Sequence, residues 1–253
     1  MRNWARSVSV GVCATVLVMT HAGASVLGQE APSSVPLLGP GVYERPFQTE
    51  AGPTIAYAIS VPRGYSESGR VPLVLALHFG VGGGPGRGAG KSLVRLLVGP
   101  ALADLGAVII APDSLGGSWN TPENERAVMN LLKEALKAYH VDPRKVAVTG
   151  FSMGGAGTWH FAARFPETFS AAIPVAGRPP ADAGRWRMPV FAVHSTRDEV
   201  VPIGPASSRI AELKGMGVNA QIVVLETPSH FQTNLFADGL KQAVPWLKKL
   251  WSE

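Results

Sequence analysis

Cysteine is nearly missing from this chain: its 253 residues contain one, Cys13. A single cysteine excludes an internal disulfide framework. Cys13 also sits in an apolar run near the N-terminus, which argues against a thiol nucleophile or a thiolate metal site. No His-Glu-x-x-His or paired-histidine motif is present, so a zinc site has no ligand set. A basic cluster is missing too. The formal net charge of +5 comes from scattered side chains, and nothing resembles a nucleic-acid footprint. Arg185 and Arg187 around Trp186, and Lys248-Lys249 near the C-terminus, read as solvated surface. Internal repeats are absent. Beyond the N-terminal segment no apolar run is long enough to suggest a membrane span.

The N-terminal segment reads as an export signal. Arg2 and Arg6 supply a positive start, residues 8–19 an apolar core, and Ala22-Gly23-Ala24 a small-x-small cleavage site. Cleavage is expected after Ala24, giving a secreted or periplasmic protein. Val12 before Cys13 does not fit lipoprotein processing. Losing residues 1–24 would remove the only cysteine and lower the charge by two. Residues 25–40, rich in Pro, Ser and Gly, read as a linker or mature N-terminal tail. Residues 41–253 are long enough for one sizeable domain, the expected catalytic domain.

The chemistry is concentrated at Gly150-Phe151-Ser152-Met153-Gly154. This Gly-x-Ser-x-Gly follows the apolar run Val146-Ala147-Val148-Thr149 and precedes Gly155-Ala156-Gly157-Thr158-Trp159. Strand, sharp turn and helix are thus expected in the order that makes a serine nucleophile. Serine needs a base, and the base an orienting acid. The chain order for this turn is serine, acid, histidine. Asp198 follows a strand expected over 190–194, and His230 follows one expected over 221–225. Each falls at the carboxyl end of its strand, where open parallel sheets place their sites.

Competing residues fit less well. Glu199 reads as solvated, and Asp113 precedes the serine in the chain. His21 lies in the export signal, and His140 ends a helix before the Asp142-Pro143 turn. His160 lies two turns into the helix after the serine. His78 and His194 close strands and read as structural histidines bonded to nearby loops. The oxyanion needs two backbone donors. Met153, after the nucleophile, supplies one by position. The loop His78-Phe79-Gly80-Val81-Gly82-Gly83-Gly84 supplies the other, with Gly80 favoured and Phe79 the alternative. Trp119 and Phe79 are candidate substrate contacts, and Trp186 could line the opposite side; capping the core is the other reading of these aromatics.

Another class of function is suggested by Gly86-Arg87-Gly88-Ala89-Gly90-Lys91-Ser92, which approaches a phosphate-binding loop. Pro85 stands where that motif requires glycine. Gly84 to Ala89 also grazes a dinucleotide fingerprint, with a proline inside it and no well-placed acid. The plain reading is a flexible loop that shapes the site and then starts a helix.

Buried strands are expected at 73–79, 107–111, 146–149, 171–175, 190–194 and 221–225, with helices near 91–105, 122–139, 154–164, 205–216 and 233–250. An outer strand is expected at 54–61. The alternation implies an α/β fold with a doubly wound, mostly parallel central sheet flanked by helices.

The chain resembles the α/β-hydrolase superfamily. Within it the likeness is to secreted esterases of the carboxylesterase/phospholipase and polyhydroxyalkanoate-depolymerase-like group. The carriers are Leu77-His78-Phe79-Gly80, Ala111-Pro112-Asp113-Ser114-Leu115-Gly116-Gly117-Ser118-Trp119, Val141-Asp142-Pro143-Arg144-Lys145-Val146, Gly150 to Gly155, Arg164-Phe165-Pro166-Glu167 and Asp198-Glu199-Val200-Val201-Pro202. The likeness spans residues 50–250. Two departures stand out: Phe79 after His78, and Ser195 after His194, where the family usually or often has glycine. The resemblance implies a serine esterase. Ser152, Asp198 and His230 would form its triad, acting through an acyl-enzyme with no cofactor and no metal. Its substrate would be a small-molecule or polymer-linked ester, with no nucleic-acid partner, no large lid domain and no stable membrane span after signal cleavage. A serine peptidase of the same fold and a catalytically silent binding protein on this scaffold are the other readings.

Overall fold

A computed structural model describes residue 1 and residues 32–50, 52–181 and 186–252. The export signal expected at 1–24 and the first part of the expected linker lie outside the described residues, as does Arg185.

One sheet of eight strands organises the described domain, in the order β1-β2-β4-β3-β5-β6-β7-β8. The strands are β1 (Gly41–Gln48), β2 (Thr54–Val61), β3 (Val71–Leu77), β4 (Val108–Pro112), β5 (Val141–Phe151), β6 (Ala171–Val175), β7 (Val190–Ser195) and β8 (Ala220–Leu225). Pairing is antiparallel for β1–β2 and β2–β4, and parallel from β4 through β8. The parallel strands read as continuous apolar runs because helices cover both faces. Alternate residues of β3 serve the two layers. Leu73, Leu75 and Leu77 join the core that contains Trp119 and Trp159, while Val74 and Ala76 join the core around Leu97, Phe236 and Leu247.

Two features differ from the expectation. β2 is not an outer strand: β1 covers it, and Ile59 at its centre is fully buried. β1 itself is unmarked by a strong apolar alternation. It carries Glu44, Arg45 and Pro46, residues that suit an edge because they blunt further pairing. The Asp142-Pro143 turn lies inside β5. Val71 pairs with Val141 and Leu73 with Val146, so residues between them bulge out of the ladder.

The helices follow the expected spacing. The region 89–105 is broken into α1 (Ala89–Leu93), a wide turn over Val94–Val98, α2 (Gly99–Leu102) and a tight turn over Ala103–Leu105. α3 (Pro122–Ala138) starts at Thr121, whose hydroxyl accepts the Asn124 amide at 3.3 Å, with Pro122 in the first turn. α4 (Met153–Arg164) follows the serine turn and α5 (Gly204–Gly215) follows the Asp198 loop. α6 (Ala237–Lys241) and α7 (Ala243–Leu250) end the fold. Among the described residues no helix is long and apolar enough to cross a membrane.

Candidate active site

The turn between β5 and α4 holds Ser152 at φ 58°, ψ −115°, a left-handed conformation that serine adopts only under constraint. The constraint is visible in the packing. The Ser152 amide donates to Val175 O in β6 at 3.0 Å, and the Ala156 amide donates to Ser152 O at 2.9 Å. α4 crosses the ends of β3 and β5 so closely that a Cβ on Gly154 would overlap the carbonyl of Leu77. Only glycine at 154 permits this approach.

The strand order then brings the three expected residues together. β5, β6, β7 and β8 are parallel neighbours, so the loops after β5, β7 and β8 emerge on one edge. The Ser152 hydroxyl lies 2.7 Å from His230 Nε2, and His230 Nδ1 lies 2.8 Å from Asp198 Oδ2. With Nδ1–H donating to the carboxylate, Nε2 is the free acceptor for the serine proton. Asp198 Oδ1 accepts the amides of Val200 at 3.1 Å and Val201 at 2.7 Å. Asp198 and His230 are buried, Ser152 is half-buried, and the Phe151 ring lies against the imidazole at 5.2 Å between centroids.

The two residues expected to supply the oxyanion donors are neighbours. A Cβ on Gly80 would meet the Met153 side chain at 3.9–4.0 Å. Among the described residues neither amide forms a backbone–backbone hydrogen bond outside the regular elements. The substrate contacts stand differently. Trp119 is buried, and its indole N–H donates to His78 O at 2.9 Å. Trp186 is also buried and donates to Met188 O at 2.6 Å. Of the two readings of these aromatics, burial favours capping the core over a stacking surface. Phe79 is half-buried and packs on the core beneath the sheet edge.

The phosphate-loop likeness has a plain structural content. The amides of Gly88 and Gly90 converge on an acid, as such loops do. That acid belongs to the chain itself: Asp113 accepts them at 2.5 Å and 2.9 Å. Lys91 pairs with Glu44 at 2.9 Å on the surface. The loop's donors are thus already occupied.

Around the site, the contact made by Glu199 was not visible from sequence, whereas His194 bonds a nearby loop as expected. Glu199 is exposed, yet its carboxylate also accepts the His230 backbone amide at 3.1 Å. His194 is buried and donates from Nε2 to Val201 O at 2.7 Å, with Asp198 Oδ2 at 3.6 Å from the same nitrogen. Burial holds its pKa below the usual histidine value; the Val201 carbonyl and the Asp198 charge oppose that shift. A histidine ending a strand beside the acid was the available signal.

The model of the dienelactone hydrolase family matches residues 95–235, more than half of the chain. The chain belongs to the dienelactone hydrolase family. The matched span contains Ser152, Asp198 and His230. Among the relatives, the chain is 27% identical over 151 residues to "Probable feruloyl esterase C" of Aspergillus terreus, covering 58% of this chain and 56% of that protein. It is 29% identical over 117 residues to acetylxylan esterase A of Aspergillus ficuum, covering 42% and 37%. The chain spans about half the length of the relatives it matches. Among solved structures, a thermostable esterase superposes with a TM-score of 0.66 at 23% identity, covering 82% of this chain and 62% of that one. That likeness establishes the α/β-hydrolase fold of this dienelactone hydrolase family member.

Proposed function

We propose that the protein is an exported serine hydrolase that cleaves carboxylic esters through Ser152, His230 and Asp198. The observation that carries the reading is the continuous relay of 2.7 Å and 2.8 Å from hydroxyl to imidazole to carboxylate. His230 Nε2 takes the Ser152 proton as Oγ attacks the ester carbonyl. Asp198 stabilises the imidazolium that results and keeps the ring in the Nδ1–H form. The Met153 amide, at the positive N-terminus of α4, and the Gly80 amide bind the oxyanion. His230 then gives its proton to the departing alcohol and afterwards activates water, which releases the acid. The names of the feruloyl and acetylxylan esterase relatives support an ester as substrate, either free or linked to a polymer.

The experiment is hydrolysis of p-nitrophenyl esters of increasing acyl length by the protein and its Ser152→Ala variant. Activity present in the parent and lost in the folded variant is expected. Activity that survives the substitution removes Ser152 from the mechanism. The proposed organisation, with a signal over residues 1–24 and a catalytic domain over 41–253, predicts an exported protein starting at Ser25. An intact N-terminus on the exported protein would refute the cleavage.

A further inference from the structure

β7 and β8 pair in register from Val190↔Ala220 to Ser195↔Leu225, and the last bond between them runs from the Thr196 amide to Leu225 O at 2.9 Å. Beyond it the chains part into the loops that carry Asp198 and His230. Among the described residues, no backbone–backbone hydrogen bond joins those two loops past that point. Side chains must therefore hold the acid and the histidine at their 2.8 Å separation.

Ser195 is placed to do this. It is fully buried at the end of β7. Its hydroxyl donates to Pro228 O at 2.6 Å and accepts the Arg197 amide at 3.1 Å. Pro228 lies two residues before His230, and Arg197 immediately before Asp198. One hydroxyl thus binds both loops at their roots. Glu199 ties them again at the surface through the His230 amide, but as an exposed carboxylate it competes with water. A buried hydroxyl has no such competitor, and among the described residues its two backbone partners form no backbone–backbone hydrogen bond outside the regular elements.

We propose that Ser195 is a positioning residue for the Ser152–His230–Asp198 relay, setting the separation of Asp198 and His230 through its two loop contacts. The inference rests on the serine-hydrolase reading above. Without the hydroxyl, Pro228 O and the Arg197 N–H must find water, and the loops open to admit it. The Asp198–His230 bond lengthens, and the imidazolium loses part of its stabilisation. Two effects follow together: kcat falls, and the acidic limb of the pH–rate profile moves to lower pH.

The test uses Ser195→Thr and Ser195→Val, which share a shape and differ only in the hydroxyl, with Ser195→Ala beside them. Ser195→Val and Ser195→Ala should lose about 10–100-fold in kcat with KM within about twofold of the parent. Ser195→Thr should keep most of the activity. The downfield proton resonance of the His230 Nδ1–H, identified by its loss in His230→Ala, should broaden or shift in the Val variant and persist in the Thr variant. Equal kcat and equal acidic limbs for Thr and Val would overturn the proposal, whatever the Ala variant does. If Ser152→Ala retains activity, the underlying hydrolase reading fails instead. The resonance still reports whether Ser195 holds the pair.

Discussion

His78 donates from Nδ1 to the carbonyl oxygen of Phe79 at 2.6 Å, and its Nε2 accepts the Ser114 amide at 3.0 Å. The ring is therefore held neutral, since a proton on Nε2 would face a backbone N–H. Holding the Phe79 carbonyl on one side turns the Gly80 N–H to the other, because the two groups of a trans peptide point oppositely. A buried histidine thus orients the proposed oxyanion donor. Burial pushes its pKa below the usual value, opposed by the Phe79 carbonyl and the charge of Asp113.

The first prediction concerns stability against pH. The unfolded chain binds a proton at His78 near pH ~6.5, while the folded chain does so only at lower pH. Between those values the unfolded state holds more protons, so stability rises with pH. This contribution is complete above the unfolded value and is lost as pH falls through the folded one. His194 acts in the same direction. Urea midpoints measured from about pH 8 to about pH 5 should fall toward acid, and less steeply in His78→Gln. An identical slope in the variant would take His78 out of the account.

The second concerns Asp198. Its Oδ1 accepts two amides, so in Asn at this position the oxygen stays on those amides and the side-chain N–H faces His230. An N–H there favours the wrong imidazole tautomer. Asp198→Asn should keep its melting temperature and lose about 10³–10⁴ in kcat. A loss under about tenfold in p-nitrophenyl acetate hydrolysis would show that Asp198 is not the orienting acid.

Much of this site was legible in sequence because its signals are local. Ser152 is announced by the glycines its turn requires, and Asp198 and His230 each follow an apolar run that becomes a strand. The position of β2 was not legible. Its alternation suits a half-exposed strand, and only the pairing of Tyr57 with Pro112 and of Phe47 with Ile55 reveals that both edges are covered. β1 was missed because Glu44, Arg45 and Pro46 protect an edge at the expense of the apolar pattern. Trp119 follows β4 in the chain, and its burial is a property of the whole packing. Its indole closes over Gly157 and bonds His78 O, contacts separated by tens of residues. The role of Ser195 was invisible for the same reason. The sequence marked it only as a departure from glycine.

The third prediction addresses substrate contact. Phe231 directly follows His230, is 78% exposed, and sets its ring edge-on to the imidazole at 5.9 Å. Val200 on the acid loop and Val81 on the glycine loop are exposed too. An apolar acyl or alcohol group bound beside the relay would cover Phe231, gaining roughly 1 kcal/mol from partial burial of the ring. Phe231→Ala should therefore raise KM about fivefold for long-chain or aromatic esters with kcat unchanged, and leave acetate esters unaffected. An equal change for acetate and for long chains would place the contact elsewhere.

The fourth prediction tests the close approach beneath Ser152. α4 must seat its first turn on the ends of β3 and β5 for Met153 to pack beside Gly80. A methyl on Gly154 would meet the Leu77 carbonyl, which belongs to the central strand and cannot swing aside as a flexible side chain would. Relief requires moving the whole helix, so Gly154→Ala should cost about 3 kcal/mol or more. The serine turn should open with it, so that kcat in the folded fraction falls as well. Gly64→Ala is the matched control. A Cβ there has nothing within 4 Å and the backbone is not left-handed, so the change should stay within about 0.5 kcal/mol. Denaturant unfolding of both variants beside the parent decides the matter. If Gly154→Ala is as mild as Gly64→Ala, helix and strand have room to separate, and the strain at Ser152 does not come from their contact.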